Sequence, residues 1–520
     1  MHQTASGYHR STEYDRDRMP AGGLNWSALP KSYKFYEGRP PLLLPRDFHF
    51  PDIPLYGLYA GESKGTSGDK QPDTTILSEI LFLSYGLTAR RRAVGEDFFF
   101  RSVPSAGALY PSEIYVGAWN VEGIPSGLYH FDTTRHALIL LRKGDFQNVL
   151  DFEEVSRPPV SGKGVSFYIS GIFFRSSWKY RKRAYRYVLM DAGHLIENLV
   201  LALKAYEITP LVSLDFKDEQ ASVLMGVDPM KEVCLAHVHF PGRGTPRKRR
   251  PASLSPLPSD IVNASTVSAK EIVFPEILDI HRSGNTLKRN VSPHGAMKDL
   301  LGIRVNQWEG LPRPPAETPG TSFTRTALNR RSHRNFIPEP LAPEVFACLM
   351  DLLASAATQQ GDPPFESLLS LGFLAHAVEG LQTGFYLVDA GRRSFGRVRI
   401  GSFADPMASI CLNQEWLKNA AVHFLFMTHT ATLDRTWGPR GYRYAMIAAG
   451  RLGQAIYLAC TALELGCCGI GAFYDGEARN FSGSRPFVSG GRRVYPALHH
   501  ILIPIRFPIP PASGGNSAFY

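Results

Sequence analysis

The stretch AYRYVLMDAGHLIENLVLALKAYEI, which begins at Ala184, returns as GYRYAMIAAGRLGQAIYLACTALEL, which begins at Gly441. The separation is 441 − 184 = 257 residues. A second pair stands in the same register: VEGIPSGLYHFD begins at Val121 and VEGLQTGFYLVD at Val378, and 378 − 121 = 257. Two separated matches with no gap between them mark a tandem duplication whose halves have diverged. Leu195, Leu199, Ala202 and Leu203 in one copy, and Leu452, Ile456, Ala459 and Leu463 in the other, recur at helical spacing. Each copy therefore reads as a long, mostly buried helix. Strand-like runs at 113–118, 166–170, 233–240, 384–388, 421–427 and 502–506 accompany these helices, which indicates an α+β or α/β unit in each half; the α+β, three-layer α/β/α form is the one expected.

The composition agrees with two units. A chain of 520 residues exceeds the roughly 250–300 that one core usually serves. Its 44% hydrophobic and 20% charged residues exclude a disordered chain, a collagen-like fibre and a coiled coil. The expected division is an irregular Pro- and Gly-rich segment over 1–70, a first domain over 71–242, a linker over 243–318, a second domain over 319–510 and a tail over 511–520. Lys plus Arg (57) exceed Asp plus Glu (47), for a net charge of +10. Five of the positive charges crowd into 243–250 without interleaved aromatics, which reads as solvated linker rather than a nucleic-acid surface. Six cysteines form no CxxC pair and no regular framework, and no metal-ligand set stands out. The N-terminal stretch has no apolar signal region, and no uninterrupted apolar run reaches about 20 residues. A cytoplasmic protein that neither spans a membrane nor binds nucleic acid is expected.

Three motifs carry chemistry. RRSHRNF places Arg330, Arg331, Ser332 and Arg334 within five residues, just before an expected helix over 343–354. Guanidiniums and a hydroxyl in that density supply bidentate donors for a phosphate, although such a run taken alone is usually a solvated helix start. The segment RSVPSAGALYP over 101–111 puts Pro104, Ser105, Ala106 and Gly107 where backbone can approach a flat ligand, or where a turn simply precedes a strand. Gly469, Ile470 and Gly471 form a GxG after the long helix, a pattern that alone reads as a helix cap.

Together these segments resemble the nitroreductase-like flavoprotein family, and within it the SagB/ThcOx-type dehydrogenases. The resemblance covers most of 75–240 and 320–508. Its most specific marks are PSAGALYP over 104–111, GLYHFD over 127–132 and WKYRKRAYRYVLMDAGHLIENL over 178–199. It implies FMN, a dimer with flavin at its interface, and arginines of the RRSxR type on the FMN phosphate. It further implies that the PSAG segment of the partner subunit lies on the isoalloxazine and that backbone near the GxG faces flavin nitrogen-5.

The constant separation allows a comparison within the chain. Subtracting 257 from 330–336 lands on Asp73-Thr-Thr-Ile-Leu-Ser-Glu79, which has no arginine. Subtracting it from 468–473 lands on Leu211-Val-Ser-Leu-Asp-Phe216, which has no glycine. Adding it to 104–107 lands on Gly361-Asp-Pro-Pro364. Each half has kept what the other has lost, so the chain is expected to be a covalent pseudo-dimer with one complete composite FMN site. Arg506 is the basic residue in the region after the final strand, where the family often completes its phosphate site.

Lys179 and Tyr180 match the Lys-Tyr pair that the family places on the substrate side of the flavin in peptide azoline oxidases, and their equivalents at +257 are Thr436 and Trp437. They are the expected catalytic residues. Lysine acts as a base only if its ordinary pKa is lowered; otherwise Lys179 stabilises charge while Tyr180 handles the proton, or both residues merely contact solvent. His194 and Glu197 on the long helix read as structural, Arg186 and Arg443 as fixing the helix start or the pseudo-dimer interface, and Cys467 and Cys468 as small buried residues. The expected function is FMN-dependent dehydrogenation of an azoline-like heterocycle in a peptide or small metabolite, with a cyclodehydratase complex as the accompanying partner. An NAD(P)H-dependent nitro or quinone reductase, with the nicotinamide as transient electron donor, and a non-catalytic flavin-binding scaffold are the alternatives.

Overall fold

The computed structural model describes residues 3–19, 22–61, 72–92, 97–146, 164–239, 254–285, 295–316, 320–359, 361, 363–481, 487–489, 492–494 and 497–506, with backbone alone from residue 482 onward. The basic run 243–250 falls outside the described residues, as does the tail 511–520. Two seven-stranded sheets organise the chain. The first contains β1 (Pro41–Leu43), β2 (Ser112–Trp119), β3 (Gly127–Asp132), β4 (Ala137–Lys143), β5 (Gly164–Ile172), β6 (Leu211–Ser213) and β7 (Glu232–His239) in the order β1-β4-β3-β2-β5-β7-β6. The second contains β8 (Gln307–Gly310), β9 (Ser370–Ala375), β10 (Gly384–Asp389), β11 (Ser394–Ile400), β12 (Val422–Thr428), β13 (Leu465–Ile470) and β14 (Ala497–Arg506) in the order β8-β11-β10-β9-β12-β14-β13. Adding seven to each label of the first order gives the second. All pairings in both sheets are antiparallel.

The duplication extends to register and irregularity. Tyr115 opposes His130 and Gly372 opposes Leu387, each pair displaced by 257 from the other. A bulge between Leu128 and Tyr129 recurs between Phe385 and Tyr386, and one between Ile169 and Ser170 recurs between Phe426 and Met427. The Tyr129 hydroxyl donates to the Pro125 carbonyl at 2.5 Å, and the Tyr386 hydroxyl to the Gln382 carbonyl at 2.6 Å. A bulge survives divergence because removing it would shift every later side chain to the other face.

The long helices are Ala184–Ala205 and Arg440–Ala462. In the first, every residue but Lys204 is buried, which explains a helix apolar nearly all round. It packs on the Gly171 face of β5, where Val188 lies against Gly171. The opposite face carries Tyr115 and Tyr168 and receives Leu224 and Met225 of the helix Asp218–Met225, completing three layers. Each large apolar side chain so buried contributes about 1.5–3 kcal/mol.

The separation of 257 fails after β13, where Val238 and Leu502 oppose the equivalent residues Phe167 and Phe424 yet 502 − 238 = 264, and it fails ahead of β2. Helices Thr74–Tyr85 and Pro343–Ala357 each pack on the long helix of their own half, yet 343 − 74 = 269. The first half holds the additional residues in a two-stranded hairpin, Leu87–Arg92 with Asp97–Arg101, ahead of β2. Asp73 is the N-cap of its helix, accepting from the Ile76 amide at 2.8 Å, so it does not correspond to Arg330. At the corrected separation, Arg330 onward corresponds to Gly61-Glu-Ser-Lys-Gly-Thr-Ser67, which also lacks arginine. Most of that segment lies outside the described residues.

Two structural units divide the chain. One contains residues 23–53 and 61–278, the other residues 1–22, 54–60 and the described residues from 279 onward. The expected linker 243–318 is therefore shared between them: Ile261 of the helix Ser259–Asn263 joins the first core, and β8 is an edge strand of the second sheet. The expected irregular segment is shared as well. Lys34 pairs with Glu232 inside the first unit at 2.5 Å, with Tyr115, Ser170 and Ser265 completing the carboxylate's partners. In the second unit, Asp434 caps the helix Ala5–Ser11 by accepting from the amides of Ala5 (2.6 Å) and Ser6 (3.0 Å).

Candidate functional site

In the first unit, the hairpin ends at Arg101 and delivers the chain into the turn at 104–111. Arg101 is buried with its guanidinium 4.2 Å above the Tyr85 ring and 5.0 Å from that of Tyr110. The Ser105 hydroxyl donates to Asp191 Oδ2 at 2.6 Å, and the Ala106 amide donates to both Asp191 oxygens at 3.2 and 3.3 Å. The Tyr110 amide donates back to Ser105 Oγ at 2.8 Å. Three residues of the turn have left-handed backbone: Gly107 at φ +66°, Ala108 at +56° and Tyr110 at +45°. Asp191 is buried on the long helix, and burial pushes it up to about 7, the bonds from Ser105 and Ala106 offsetting only part.

Arg175 braces the far end of the turn by donating to the Tyr110 carbonyl at 2.9 Å. It also pairs with Glu113 at 2.6 Å, and Glu113 meets His130 at 2.9 Å. Burial alone would raise Glu113, but Arg175 and His130 hold it well below the usual carboxylate range.

Lys179 and Tyr180 end the helix Phe173–Tyr180, with Lys179 exposed and Tyr180 half-buried. Both lie against Gly107: a methyl group placed there would stand 2.9 Å from the Tyr180 hydroxyl and 3.2 Å from Lys179 Nζ. The structure thus brings the expected catalytic pair and the expected turn together within one unit. The residue after the pair, Arg181, adopts φ +50° and ψ −137°, while its equivalent Gly438 sits at φ +63° and ψ −159°. That backbone region belongs to glycine, and a side chain held there costs of order 1–3 kcal/mol. Arg181→Gly is expected to raise the unfolding free energy by about 1 kcal/mol, part of the relief being lost to the freer unfolded chain. Denaturant titration of the full chain checks this; a lowered midpoint would contradict it.

In the second unit, the helix Phe323–Asn329 ends at Arg330, and the following loop runs beside β13, where the His333 amide donates to the Cys467 carbonyl at 2.9 Å. Three of the expected residues converge on Tyr457 of the long helix. The buried Arg330 guanidinium lies 5.3 Å from its ring, Ser332 Oγ is 3.0 Å from its hydroxyl, and the Gly469 amide donates to that hydroxyl at 2.6 Å. Arg334 faces the Cys468 thiol, which burial raises and the guanidinium partly lowers. Arg331 folds back onto the Leu328 and Arg330 carbonyls at 3.0 and 2.7 Å. Gly469 and Ile470 lie in β13, with Gly471 just beyond, so the GxG is strand and not a helix cap. The helix ends earlier, at Ala462, with Leu463 as its C-cap. Arg506 opposes Leu465, whereas Gly469 opposes Leu502, so the backbone register separates Arg506 from the Gly469 end of the strand pair.

The sequence reading missed Asp191, Arg175 and Tyr457. A signal for them existed in the repeat: their equivalents at 257 are Ala448, Thr432 and Val200, polar groups facing smaller or apolar counterparts. His194 hydrogen-bonds the Met190 carbonyl one turn back at 2.7 Å, and Arg443 meets His281 at 3.1 Å, both within their own units.

The nitroreductase family profile matches residues 69–243 and 327–485, one segment in each half. The chain belongs to the nitroreductase family. It is 33% identical over 125 residues to a putative nitroreductase of Methanocaldococcus jannaschii, covering 24% of this chain and 60% of that one. Over 136 residues it is 33% identical to the trifolitoxin-processing protein TfxB of Rhizobium leguminosarum, and over 138 residues 28% identical to the microcin B17-processing protein McbC of Escherichia coli. Each covers 25% of this chain, and 35% and 49% of the relatives respectively, so the chain spans about a third to three fifths of the curated relatives it matches. A crystal structure of a putative nitroreductase from Anabaena variabilis shares the fold, with a TM-score of 0.73 at 24% identity over 97% of this chain and all of that one.

Nitroreductase-family proteins generally bind flavin, and the donors in the second unit fit one end of FMN. Ser332 and Arg334 reach solvent beside the buried Arg330, and Arg331 is partly exposed. Several guanidiniums with a hydroxyl between them suit a dianionic phosphate better than a neutral ligand. Among the described residues of this nitroreductase-family chain, no helix is long and apolar enough to cross a membrane.

Proposed function

We propose that the chain is an FMN-dependent oxidoreductase of SagB/ThcOx type, acting in the cytoplasm to dehydrogenate an azoline-like heterocycle in a peptide or small metabolite. The observation that carries this reading is the approach of Lys179 and Tyr180 to Gly107, which sets two proton-handling groups beside a turn with accessible backbone. The reading assigns Arg330, Arg331, Ser332 and Arg334 to the phosphate, with Arg506 as a further cation of that half. It assigns Pro104, Ser105, Ala106 and Gly107 to the ring, and Gly469, Ile470 and Gly471 to its reactive edge. The complementary losses in the two copies support one composite site per chain.

FMN, when bound, supplies a two-electron hydride acceptor. Conversion of an azoline to an azole removes one hydride and one proton, and the chain's own task is the proton. Tyr180 acts as its phenolate: Oη accepts the proton and becomes the neutral phenol, and the Lys179 ammonium beside the ring stabilises the phenolate before the transfer. The mutual loss of the pair and the turn from the second half supports this coupling. The processing of trifolitoxin and microcin B17 named for the relatives TfxB and McbC supports a peptide substrate. The chemistry also requires an earlier cyclodehydration that forms the ring, hence a cyclodehydratase as partner.

The test is flavin content followed by anaerobic reduction. Full chain reconstituted with excess FMN is expected to retain about one flavin per chain, and an azoline-containing peptide is expected to bleach it. A ratio near two would overturn the single composite site. Rapid bleaching by NADPH without bleaching by the peptide would replace the dehydrogenase with an NAD(P)H-dependent reductase, and failure to retain flavin would leave a non-catalytic scaffold.

A further inference from the structure

We propose that Asp191 is a positioning residue: by accepting from Ser105 and Ala106 it holds the turn 105–110 in the left-handed form that sets Gly107 against Lys179 and Tyr180. The proposal rests on the reading of that turn and pair given above. Its geometric basis is a closed set of bonds. Asp191 accepts from the Ser105 hydroxyl and the Ala106 amide, Ser105 accepts from the Tyr110 amide, and Arg175 fixes the Tyr110 carbonyl. Left-handed backbone at Ala108 and Tyr110 persists only where its surroundings fix it. Arg175 lies one turn before Lys179 on the helix Phe173–Tyr180, so the same short helix carries both the brace and the catalytic pair.

The second half serves as the control that separates fold from function. The equivalents of Asp191, Arg175, Glu113 and His130 at +257 are Ala448, Thr432, Ser370 and Leu387. All four first-half residues are buried. The second half nevertheless builds the same strand order, with bulges at the same two places, using none of them. A buried carboxylate that the fold required would have a polar successor, because burying such a group is costly unless its partners need it. Asp191 has instead disappeared together with the turn that it holds.

The experiment compares Asp191→Ala and Asp191→Asn in the full chain by amide hydrogen exchange, melting temperature and turnover. With Ala, exchange in the peptide spanning 104–110 is expected to rise about tenfold, the loss of one to two hydrogen bonds, while protection of the first sheet stays as it was. Turnover is expected to fall about tenfold in kcat with KM within about threefold, since the turn and not the substrate loses its partner. Asn keeps an acceptor oxygen for the Ala106 amide and is expected to recover part of both. Unchanged exchange over 104–110 would overturn the proposal, as would a uniform rise across the first sheet with equal loss of turnover in both variants. If Ala prevents folding, Asn decides: about a threefold rise confined to 104–110 supports the hold, and none refutes it. Exchange needs no turnover, so a loosened turn in a chain whose native form neither keeps flavin nor oxidises an azoline would count against the proposed function and leave the hold intact.

Discussion

Replacing Lys179 with Met is expected to lower kcat for azoline oxidation by about 10²-fold or more, with KM changed by less than about threefold. Positioned proton-transfer groups contribute about 10²–10⁴-fold, and Lys179 Nζ stands 3.2 Å from where a methyl group on Gly107 would be. Met preserves the length and apolar stem of lysine, so packing is conserved while the charge is removed. Tyr180→Phe is expected to act similarly by removing only the hydroxyl. Its ring would keep its contact with Tyr187, whose centroid lies 4.3 Å away, so the fold should tolerate the change. Thr436→Ala, at the position equivalent to Lys179, is the control and should leave kcat within about twofold. Thr436 is buried, and its hydroxyl has no hydrogen-bond partner among the described residues. Steady-state kinetics on FMN-loaded protein decides. A Met variant retaining more than about a third of the turnover would remove Lys179 from the chemistry.

The sequence disclosed the fold where apolar pattern and structure coincide. The runs at 113–118, 166–170 and 384–388 fall inside β2, β5 and β10, and that at 421–427 begins one residue before β12; these strands are buried on both faces and so are apolar without alternation. The edge strands β1 and β8 stayed hidden. Gln307–Gly310 is exposed throughout, and no burial imposes an apolar residue on it. The separation of 257 was legible because register in a sheet tolerates no slip. The hairpin of the first half was not, since a hairpin inserted outside the sheet leaves the downstream register untouched.

The site was legible where residue types are unusual and hidden where ordinary residues act through geometry. RRSHR and PSAG stand out as strings. Tyr457 does not, because a tyrosine on a buried helix reads as core until the structure brings Arg330, Ser332 and Gly469 to it. The helix starting at Thr74 was matched to the wrong partner, because a single separation was carried across the hairpin.

Removing the guanidiniums of Arg330 and Arg334 together is expected to weaken FMN binding by about 10²–10⁴-fold. Hydrogen bonds to charged groups contribute about 1.5–3 kcal/mol each, and two of them convert at about 1.4 kcal/mol per tenfold. Neighbouring losses do not simply add, which favours the lower end of that range. Arg330 is buried over Tyr457, so its truncation also opens space beside the hydroxyl that meets Ser332 and Gly469. Comparing FMN with riboflavin separates the two effects, because riboflavin carries the same ring without the phosphate. In fluorescence titrations of the full chain, Arg330→Lys with Arg334→Ala should weaken FMN more than riboflavin, as lysine keeps the charge but loses the bidentate fork. The double alanine variant should leave riboflavin binding within about threefold. Parallel loss of both ligands would make these arginines supports of the loop, and unchanged FMN binding would place the phosphate elsewhere. A phosphate-specific loss would explain why the second half kept its arginines after parting with the PSAG turn and the Lys-Tyr pair: an anchor and a reactive face can be divided between two copies, provided each copy stays folded without the part it has lost.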